Sequence, residues 1–513
     1  MPRALISVYD KTGLVDLASQ LVERGWEIVA SGGTEKALVD AGIEVTPLQQ
    51  LTNMPEMLEG RVKTLHPAIH AGILARDRQA DFDELTRYGF APISMVVCNL
   101  YPFQETVAQP GVTLQDALEQ IDIGGVALLR AAAKNFFRVV TLCDPADYGR
   151  VLASIKATGG TDLALRRELA AKAFAHTRDY DTAVHAYLTA DLQLKQFDHN
   201  ALPQQLSLSL HAVSDLRYGE NPHQSGAFYA RMANETPLGA TVLGGKQLSY
   251  NNLLDVDAAW RTVSAFADPT VVIVKHLMPT GIATADSLAA AYQYALESDP
   301  ISAFGGIIAV NRVVDDAFVQ ALSTLFIEVI AAPGFTPTAV TALGEGRKNC
   351  RLLQIPQPYD TNMLDIRTVH RGYLVQRMDA GDPEGTVWRT VTKRPPTPEE
   401  LAAMQYAWKA VQHVKSNAIV LARAGYTVGV GGGLPNRLDA VRIAVERAGE
   451  RARGSAMASD AFFPFPDGVE LAARAGVTAV VQPGGAIRDA QVIAAADQAN
   501  MAMIFTGTRH FRH

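Results

Sequence analysis

Lys275 and His276 follow the apolar run at residues 271–274 and precede Pro279-Thr280-Gly281. A cation beside an imidazole disfavours imidazolium, and the neutral ring is the form that accepts a proton, so this pair at a strand end suits proton transfer. A second concentration of charge is Gly60-Arg61-Val62-Lys63-Thr64-Leu65-His66-Pro67, which places Arg, Lys and His within one Gly- and Pro-bounded segment. Ile121-Asp122-Ile123-Gly124-Gly125 opens a helical stretch carrying Arg130 and Lys134, whose i,i+4 spacing puts them on one face. A carboxylate, two cations and a diglycine could hold an anionic substrate and move protons around it; Asp122 as a simple helix cap is the plainer alternative. Ser31-Gly32-Gly33-Thr34 lies between a strand and a helix, where backbone N–H groups and the positive helix end suit a phosphate. A tight turn with a Thr cap would use the same residues.

Asn99-Leu100-Tyr101-Pro102 ends an apolar strand, the place where α/β ligand sites gather. Arg217-Tyr218-Gly219-Glu220-Asn221-Pro222-His223-Gln224 is rich in polar and turn-forming residues, a composition for a binding loop or a surface turn rather than a core. Ser302-Ala303-Phe304-Gly305-Gly306 and Lys415-Ser416-Asn417 add close backbone approach and an amide, and Ser459-Asp460-Ala461-Phe462-Phe463-Pro464-Phe465 adds aromatics suited either to stacking on a flat heterocycle or to packing. Gly429-Val430-Gly431-Gly432-Gly433 does not have the spacing of a dinucleotide fingerprint, which argues against NAD. No Walker A loop, deaminase zinc signature or nucleophile elbow is present.

These residues need a framework to position them. Periods of two and 3.6 alternate at the start: strands at residues 4–8, 26–30 and 43–48 frame helices around Leu14, Leu17, Leu21 and Val22 and at 34–40. Strands at 94–99 and 139–142, a helix at 126–135 and a long helical stretch at 163–188 complete a parallel α/β unit. Residues 190–212 lose helical periodicity and carry Pro203, so the domains are placed at 1–195 and 196–513. The second domain mixes strands at 270–274 and 306–310 with helices at 283–296 and 399–413. A weak echo between Val274-Lys275-His276 and Val414-Lys415-Ser416-Asn417 suggests two similar α/β lobes.

The chain has 513 residues, 48% of them hydrophobic, enough for two cores. Its formal net charge of −7 offers no global basic field for a nucleic-acid backbone. Cys98, Cys143 and Cys350 are too scattered for a disulfide framework or metal knuckle, which points to a reducing, cytoplasmic setting. No run approaches the ~20 apolar residues that span a bilayer, and the N-terminus lacks a signal-peptide pattern, so neither a membrane nor a nucleic-acid partner is expected.

The motifs SVYDKTG, SGGT, GRVKTLHPAIHAGILAR, NLYPF, IDIGG, RAAAKN, RYGENPHQ, VKH, SAFGG, VTKRPPT, VKSNAIVLA and SDAFFPF occur in this order over nearly the whole chain. In that respect the sequence resembles the PurH family of bifunctional purine-biosynthesis enzymes. The resemblance implies an N-terminal IMP cyclohydrolase with a methylglyoxal-synthase-like fold and a C-terminal AICAR transformylase of two cytidine-deaminase-like lobes without zinc. It also implies a homodimer with transformylase sites at the interface, AICAR, formyl-AICAR and IMP as ligands, 10-formyltetrahydrofolate as cosubstrate, and no required metal or redox cofactor.

By the same resemblance Lys275, His276 and Asn417 are the transformylase catalytic residues. Arg217, Tyr218, His223, Phe304, Gly305, Glu328, Arg437, Phe462, Pro464, Asp467, Arg509 and His513 surround its substrates, with the C-terminus ordered. In the first domain Ser7, Lys11, Ser31, Gly33, Thr34, Arg61 and Thr64 fall on nucleotide-binding motifs. Lys63, Tyr101, Asp122 and Lys134 are expected to steer ring closure, Asp122 taking the amide proton and Lys134 protonating the departing oxygen. Two departures stand out. Leu277-Met278-Pro279-Thr280-Gly281 puts a thioether where the family often has a small polar side chain, and Leu434-Pro435 replaces a usual glutamine. Both imply altered folate or nucleotide affinity. A cyclohydrolase whose C-terminal half only binds nucleotide or dimerises is the alternative, and a phosphate-sensing regulatory N-terminal half is a second.

Overall fold

The computed structural model describes residues 1–55, 57–58, 61–196, 202, 206–232 and 234–513. The chain forms two compact units, Met1–Ser209 and Leu210–His513. The division expected after residue 195 falls at the end of helix Leu163–Gln196. Part of the expected linker, 197–201 and 203–205, lies outside the described residues.

In the first unit five parallel strands lie in the spatial order Thr46–Pro47, Glu27–Ala30, Arg3–Ser7, Met95–Cys98 and Val140–Leu142. Alternate side chains point to opposite faces. Leu5, Val29 and Val96 pack with helices Pro67–Leu74 and Gly124–Lys134. Ala4, Ile6, Ile28 and Val97 pack with Leu14–Val22 and Tyr148–Thr158. Both faces are covered, which explains strands that read as continuous apolar runs. Because all five run one way, Ser7, Ala30, Cys98 and Leu142 end at a common edge. The strand expected at 43–48 is only Thr46–Pro47: Pro47 lacks an N–H for the ladder, and Leu48 already begins helix Leu48–Thr52. The long helix continues past residue 188 to Gln196.

The second unit holds a twelve-stranded sheet made of two repeats of one topology. In the first repeat helix Tyr250–Ser264 precedes the hairpin Thr270–Lys275/Met278–Thr284; Gly306–Val310 then pairs antiparallel with the hairpin's first strand, and Ile327–Ala332 and Arg351–Gln354 add in parallel. In the second, helix Pro398–Val411 precedes the hairpin Ile419–Arg423/Tyr426–Gly431, followed by Ala456–Ser459, Ala479–Gln482 and Ala502–Phe505 with the same sequence of pairings. The repeats meet where Met278–Thr284 pairs antiparallel with Tyr426–Gly431 at Ala283 and Tyr426. Two-lobe symmetry is therefore real, but the Val-Lys echo does not mark it. Lys275 ends a hairpin strand, whereas Lys415 precedes one. The expected helix at 283–296 begins at Leu288, capped by the Ser287 hydroxyl accepting from the Ala290 N–H at 3.2 Å, because residues 278–284 are taken by the hairpin. Among the described residues no helix is long and apolar enough to cross a membrane.

One glycine recurs at the equivalent place in each repeat. A Cβ on Gly281 would lie 1.8 Å from the Ala295 carbonyl oxygen, and one on Gly429 would lie 2.2 Å from that of Ala444. Each helix thus presses backbone to backbone on the central strands, where no side chain fits. Gly281→Ala and Gly429→Ala are each expected to lower the unfolding free energy of this unit by about 1–3 kcal/mol or more, the cost of overpacking. Denaturant titration checks this against Gly344→Ala, a glycine with open space around it.

Candidate active sites

In the first unit the expected residues gather at the carboxyl edge of the parallel sheet. Ser7 ends its strand there, and the half-turn after Glu27–Ala30 carries Ser31, Gly32, Gly33 and Thr34 into helix Gly32–Asp40. Thr34 is buried, its hydroxyl accepting from the Val8 N–H at 3.0 Å and donating to the Val8 carbonyl at 3.1 Å. It therefore locks the loop after the first strand, while Gly33 leaves room for the Lys11 ammonium, 3.9 Å from where a Cβ would stand. Asn99 secures the same loop from the next strand: its Oδ1 accepts from the N–H groups of Tyr9 and Asp10 at 2.6 and 3.0 Å, and its Nδ2 donates to the Asp10 carbonyl at 2.9 Å. Tyr101, 40% exposed, stands edge-on to Tyr9 with ring centroids 5.6 Å apart.

The basic loop and the diglycine meet. A Cβ on Gly124 would lie 2.5 Å from the Thr64 hydroxyl, and one on Gly125 would lie 2.6 Å from an Asp122 oxygen and 2.8 Å from Leu100. Only glycine permits this convergence of Thr64, Asp122 and the strand leading to Tyr101. Asp122 accepts from the Gly125 N–H at 2.6 Å, so it does cap the helix, as the plainer reading has it. Burial nevertheless raises its pKa above the ordinary carboxylate value, against the lowering effects of that N–H, the Lys63 charge and the Tyr101 backbone N–H. Arg61 is exposed and ion-paired with Glu119, and His66 caps helix Pro67–Leu74 through Nδ1, which accepts from the Ala68 N–H at 3.2 Å.

Lys134 lies at the other end of the helix that Asp122 caps. It is exposed and is the last residue of helix Gly124–Lys134, and a rise of 1.5 Å per residue puts its Cα about 15 Å along the axis from Gly124. Its neighbour Asn135 donates to the Ile73 and Ala75 carbonyls at 2.7 and 2.8 Å, fixing that end of the helix. Arg130 lies over the Phe174 ring at 5.6 Å.

In the second unit Lys275 ends its hairpin strand and donates from Nζ to the carbonyls of Phe304 and Gly305, at 3.0 and 2.9 Å. His276 and Leu277 form the two-residue turn, both with positive φ, and His276 is exposed. Asp255 accepts from the Leu277 N–H at 2.6 Å. One turn earlier on the same helix face, Asn251 donates to the Glu220 carbonyl at 3.2 Å, tying in the loop with Arg217, Tyr218 and His223. Arg217 lies over the Tyr218 ring at 5.4 Å, and His223 is exposed. Glu328 is ion-paired with Arg351, whose guanidinium also donates to the Gln247 carbonyl at 3.1 Å. Two turns, Phe304, Gly305 and Glu328 are thus linked through the start of one helix and the loop before it.

Asn417 has its own network. Its Oδ1 accepts from Arg437 Nη2 at 2.7 Å, and its Nδ2 donates to the carbonyls of Leu434 and Pro435 at 2.9 and 3.2 Å. Arg437 Nη1 donates to Ser459 at 2.7 Å and to Asp460 at 2.5 Å, and the Ser416 hydroxyl donates to the other Asp460 oxygen. Arg437 is 7% exposed and Asp460 is fully buried. Arg437, expected to touch nucleotide, is ion-paired with Asp460 and also holds the Asn417 amide. Leu434, the departure from the glutamine, serves through its backbone carbonyl. The Met278 sulfur accepts from the Lys415 N–H at 3.4 Å, so the other departure links the Lys275-His276 hairpin to the Asn417 segment.

Phe462 and Phe465 are exposed, as are Pro464 and Asp467, while Phe463 is buried. The C-terminal segment is tied down: the His510 N–H donates to the Asp460 carbonyl at 3.0 Å, and Arg512 accepts from the Ser416 N–H at 2.8 Å. The His510 ring is held between Asp379 and Asp382 at 2.7 and 2.8 Å. Arg509 and His513 line a cavity of about 1470 Å³ that also takes in Leu277 and Lys415, the neighbours of His276 and Ser416. Asn99, Asp255, Arg351, Asp460 and His510 were not singled out as individual site residues from the sequence. No group of three or more His, Cys, Asp or Glu among the described residues is placed to hold a metal ion.

The family model of the AICARFT/IMPCHase bienzyme matches residues 132–447, more than half of the chain. The chain belongs to this family. An MGS-like domain matches residues 13–127. Relatives of the AICARFT/IMPCHase bienzyme family include the bifunctional purine biosynthesis protein PurH of Sorangium cellulosum, 52% identical, and that of Desulfitobacterium hafniense, 49% identical; each alignment spans 100% of this chain and 99% of the relative. The crystal structure of ForH is 39% identical where it aligns, over 37% of this chain and 98% of ForH, with a TM-score of 0.35. Membership of the AICARFT/IMPCHase bienzyme family makes the chain a bifunctional enzyme of purine biosynthesis, with AICAR transformylase and IMP cyclohydrolase activities.

The Asp460 charge is the anchor of the Asn417 network. Asp460→Asn is expected to lower transformylase kcat by about 100-fold, a loss consistent with loosening a buried charge-assisted network. The rate of IMP formation from formyl-AICAR should be unchanged, and a wild-type circular dichroism spectrum and denaturant midpoint on the same preparation separate a local effect from unfolding of the second unit.

Proposed function

We propose that the first unit closes the IMP ring and the second transfers the formyl group, each with the residues gathered above. For ring closure, formyl-AICAR lies at the sheet edge with its phosphate toward the Ser31–Thr34 turn and Lys11. The carboxamide nitrogen attacks the formyl carbon, Asp122 takes its proton, Lys63 and Tyr101 stabilise charge on the former formyl oxygen, and Lys134 protonates that oxygen as its C–O bond breaks and the formamide N–H proton is lost, so that water leaves and the C=N bond forms. The observation that carries this reading is Asp122 itself: a half-buried carboxylate with a raised pKa, set against the diglycine, Thr64 and Lys63.

For formyl transfer, His276 accepts the proton lost by the AICAR amine as nitrogen attacks the formyl carbon of 10-formyltetrahydrofolate, and the bond to the folate nitrogen breaks. Lys275, held by two carbonyls, stabilises the tetrahedral oxyanion or protonates the leaving nitrogen, and Asn417 orients the reacting groups. Folate as cosubstrate, a homodimer with transformylase sites at its interface and a cytoplasmic setting belong to this proposal. The exposed Phe304, Phe462 and Phe465 support a covered site. The three cysteines are buried and unpaired, with thiol pKa values pushed up by burial, to about 11 at Cys143 and about 12 at Cys350, which fits a reducing compartment.

Incubating the protein with AICAR and 10-formyltetrahydrofolate, and separately with formyl-AICAR, tests the assignment. His276→Ala is expected to cut tetrahydrofolate release by at least about 100-fold and to leave IMP formation from formyl-AICAR intact; full retention of transfer would remove His276 from the mechanism. Lys63 lowers the Asp122 pKa, so Lys63→Met should raise it further. The acidic limb of the cyclohydrolase kcat/KM profile, where the base becomes protonated, then moves to higher pH, while transformylase activity stays as it was. A limb that does not move would separate Lys63 from Asp122.

A further inference from the structure

The 1470 Å³ cavity of the second unit contains a cation that the mechanism above does not use. Arg261, on helix Tyr250–Ser264, lines it, and the Nε and Nη2 atoms of its guanidinium are buried without a hydrogen-bond partner. A desolvated guanidinium lacking acceptors is costly, several kcal/mol in a protein interior, unless an anion completes it. Asp257, Tyr359 and Asp365 lie near enough to act on its charge, but none gives Nε or Nη2 a hydrogen bond, and the Asp257 carboxylate is also bonded to Tyr359. Seven Lys and Arg side chains line the cavity against four Asp, and two of those, Asp379 and Asp382, hold His510. His413, facing Arg261 from helix Pro398–Val411's C-terminal end, is partly buried, and desolvation lowers its pKa below the ordinary value, so it adds no competing charge. Lys409 stands over the Phe266 ring at 4.9 Å.

The cavity is continuous with the candidate transformylase residues, since Leu277 and Lys415 line it as well. Its wall also offers Leu254, Met363, Trp408 and Phe511, surfaces for an aromatic body. We propose that Arg261 is an oxyanion subsite of the transformylase site, binding the carboxylate or phosphate at the far end of a substrate whose reacting end lies near His276 and Asn417. The planar fork of N–H donors suits either group bidentately. This rests on the transformylase reading of the second unit. Two substrates supply such an oxyanion: the glutamyl tail of the folate and the phosphate of AICAR.

Calorimetric titration of the full chain and of Arg261→Ala, with Arg261→Lys as the partial rescue, tests the subsite. The probes are folic acid against pteroic acid, which lacks the glutamate, and AICAR against its riboside, which lacks the phosphate. The expected result is a 10- to 100-fold weaker affinity of Arg261→Ala for one charged probe, no change for its uncharged counterpart, and a smaller loss for the lysine variant. Loss confined to folic acid identifies the carboxylates, and loss confined to AICAR identifies the phosphate. Equal affinities of wild type and Arg261→Ala for both charged probes would overturn the subsite. Absence of formyl transfer by the wild type would instead overturn the transformylase reading. Unchanged affinity for pteroic acid and for the riboside, which bind the second unit, reports that this unit of the variant is folded.

Discussion

The buried ion pair between Arg437 and Asp460 organises the second unit's candidate site. Asp460 is fully buried and reaches three separate pieces of chain: helix Arg437–Ala448 through the guanidinium, the Ser416 hydroxyl through its second oxygen, and the C-terminal segment through its backbone carbonyl. Such a pair gives little net stability over an apolar replacement, yet breaking it leaves an uncompensated charge. Its value lies in direction. With both ends of the Asn417 amide engaged, the side chain has one orientation, and the residues on either side of it inherit that precision.

The first unit reaches the same end by different means. Its carboxylate is placed by close backbone approach, with Gly124 against Thr64 and Gly125 against Asp122 and Leu100. Charge plays the smaller part, and burial sets the proton affinity of Asp122. One site is held by an ion pair of long side chains and the other by the absence of side chains, so substitutions should damage them differently: charge reversal or neutralisation in the second, added volume in the first.

Much of this was legible in the residues. The apolar periods located the parallel sheet and most helices, and chemically dense motifs such as Lys275-His276 and Asp122-Ile123-Gly124-Gly125 marked their sites because several uncommon groups stood side by side. What escaped was long-range. Asp255 and Asn99 are single polar residues among many, and only the fold brings them to the backbone of Leu277 and of Tyr9 and Asp10. Arg437 was marked by resemblance as a nucleotide contact, and its ion-pair partner, 23 positions on, is brought to it only by the fold.

The twelve-stranded sheet has a further consequence. Each repeat presents a hairpin at the same place, closed by two residues: His276-Leu277 in one and Ala424-Gly425 in the other. The first turn bears an imidazole next to a lysine, and the second bears no ionisable group. The scaffold is thus twofold while its reactive equipment is single-copy. The second lobe is released from carrying a hairpin nucleophile or base and can specialise, through Asn417, Arg437 and Asp460, in shaping the surface against which the first lobe works.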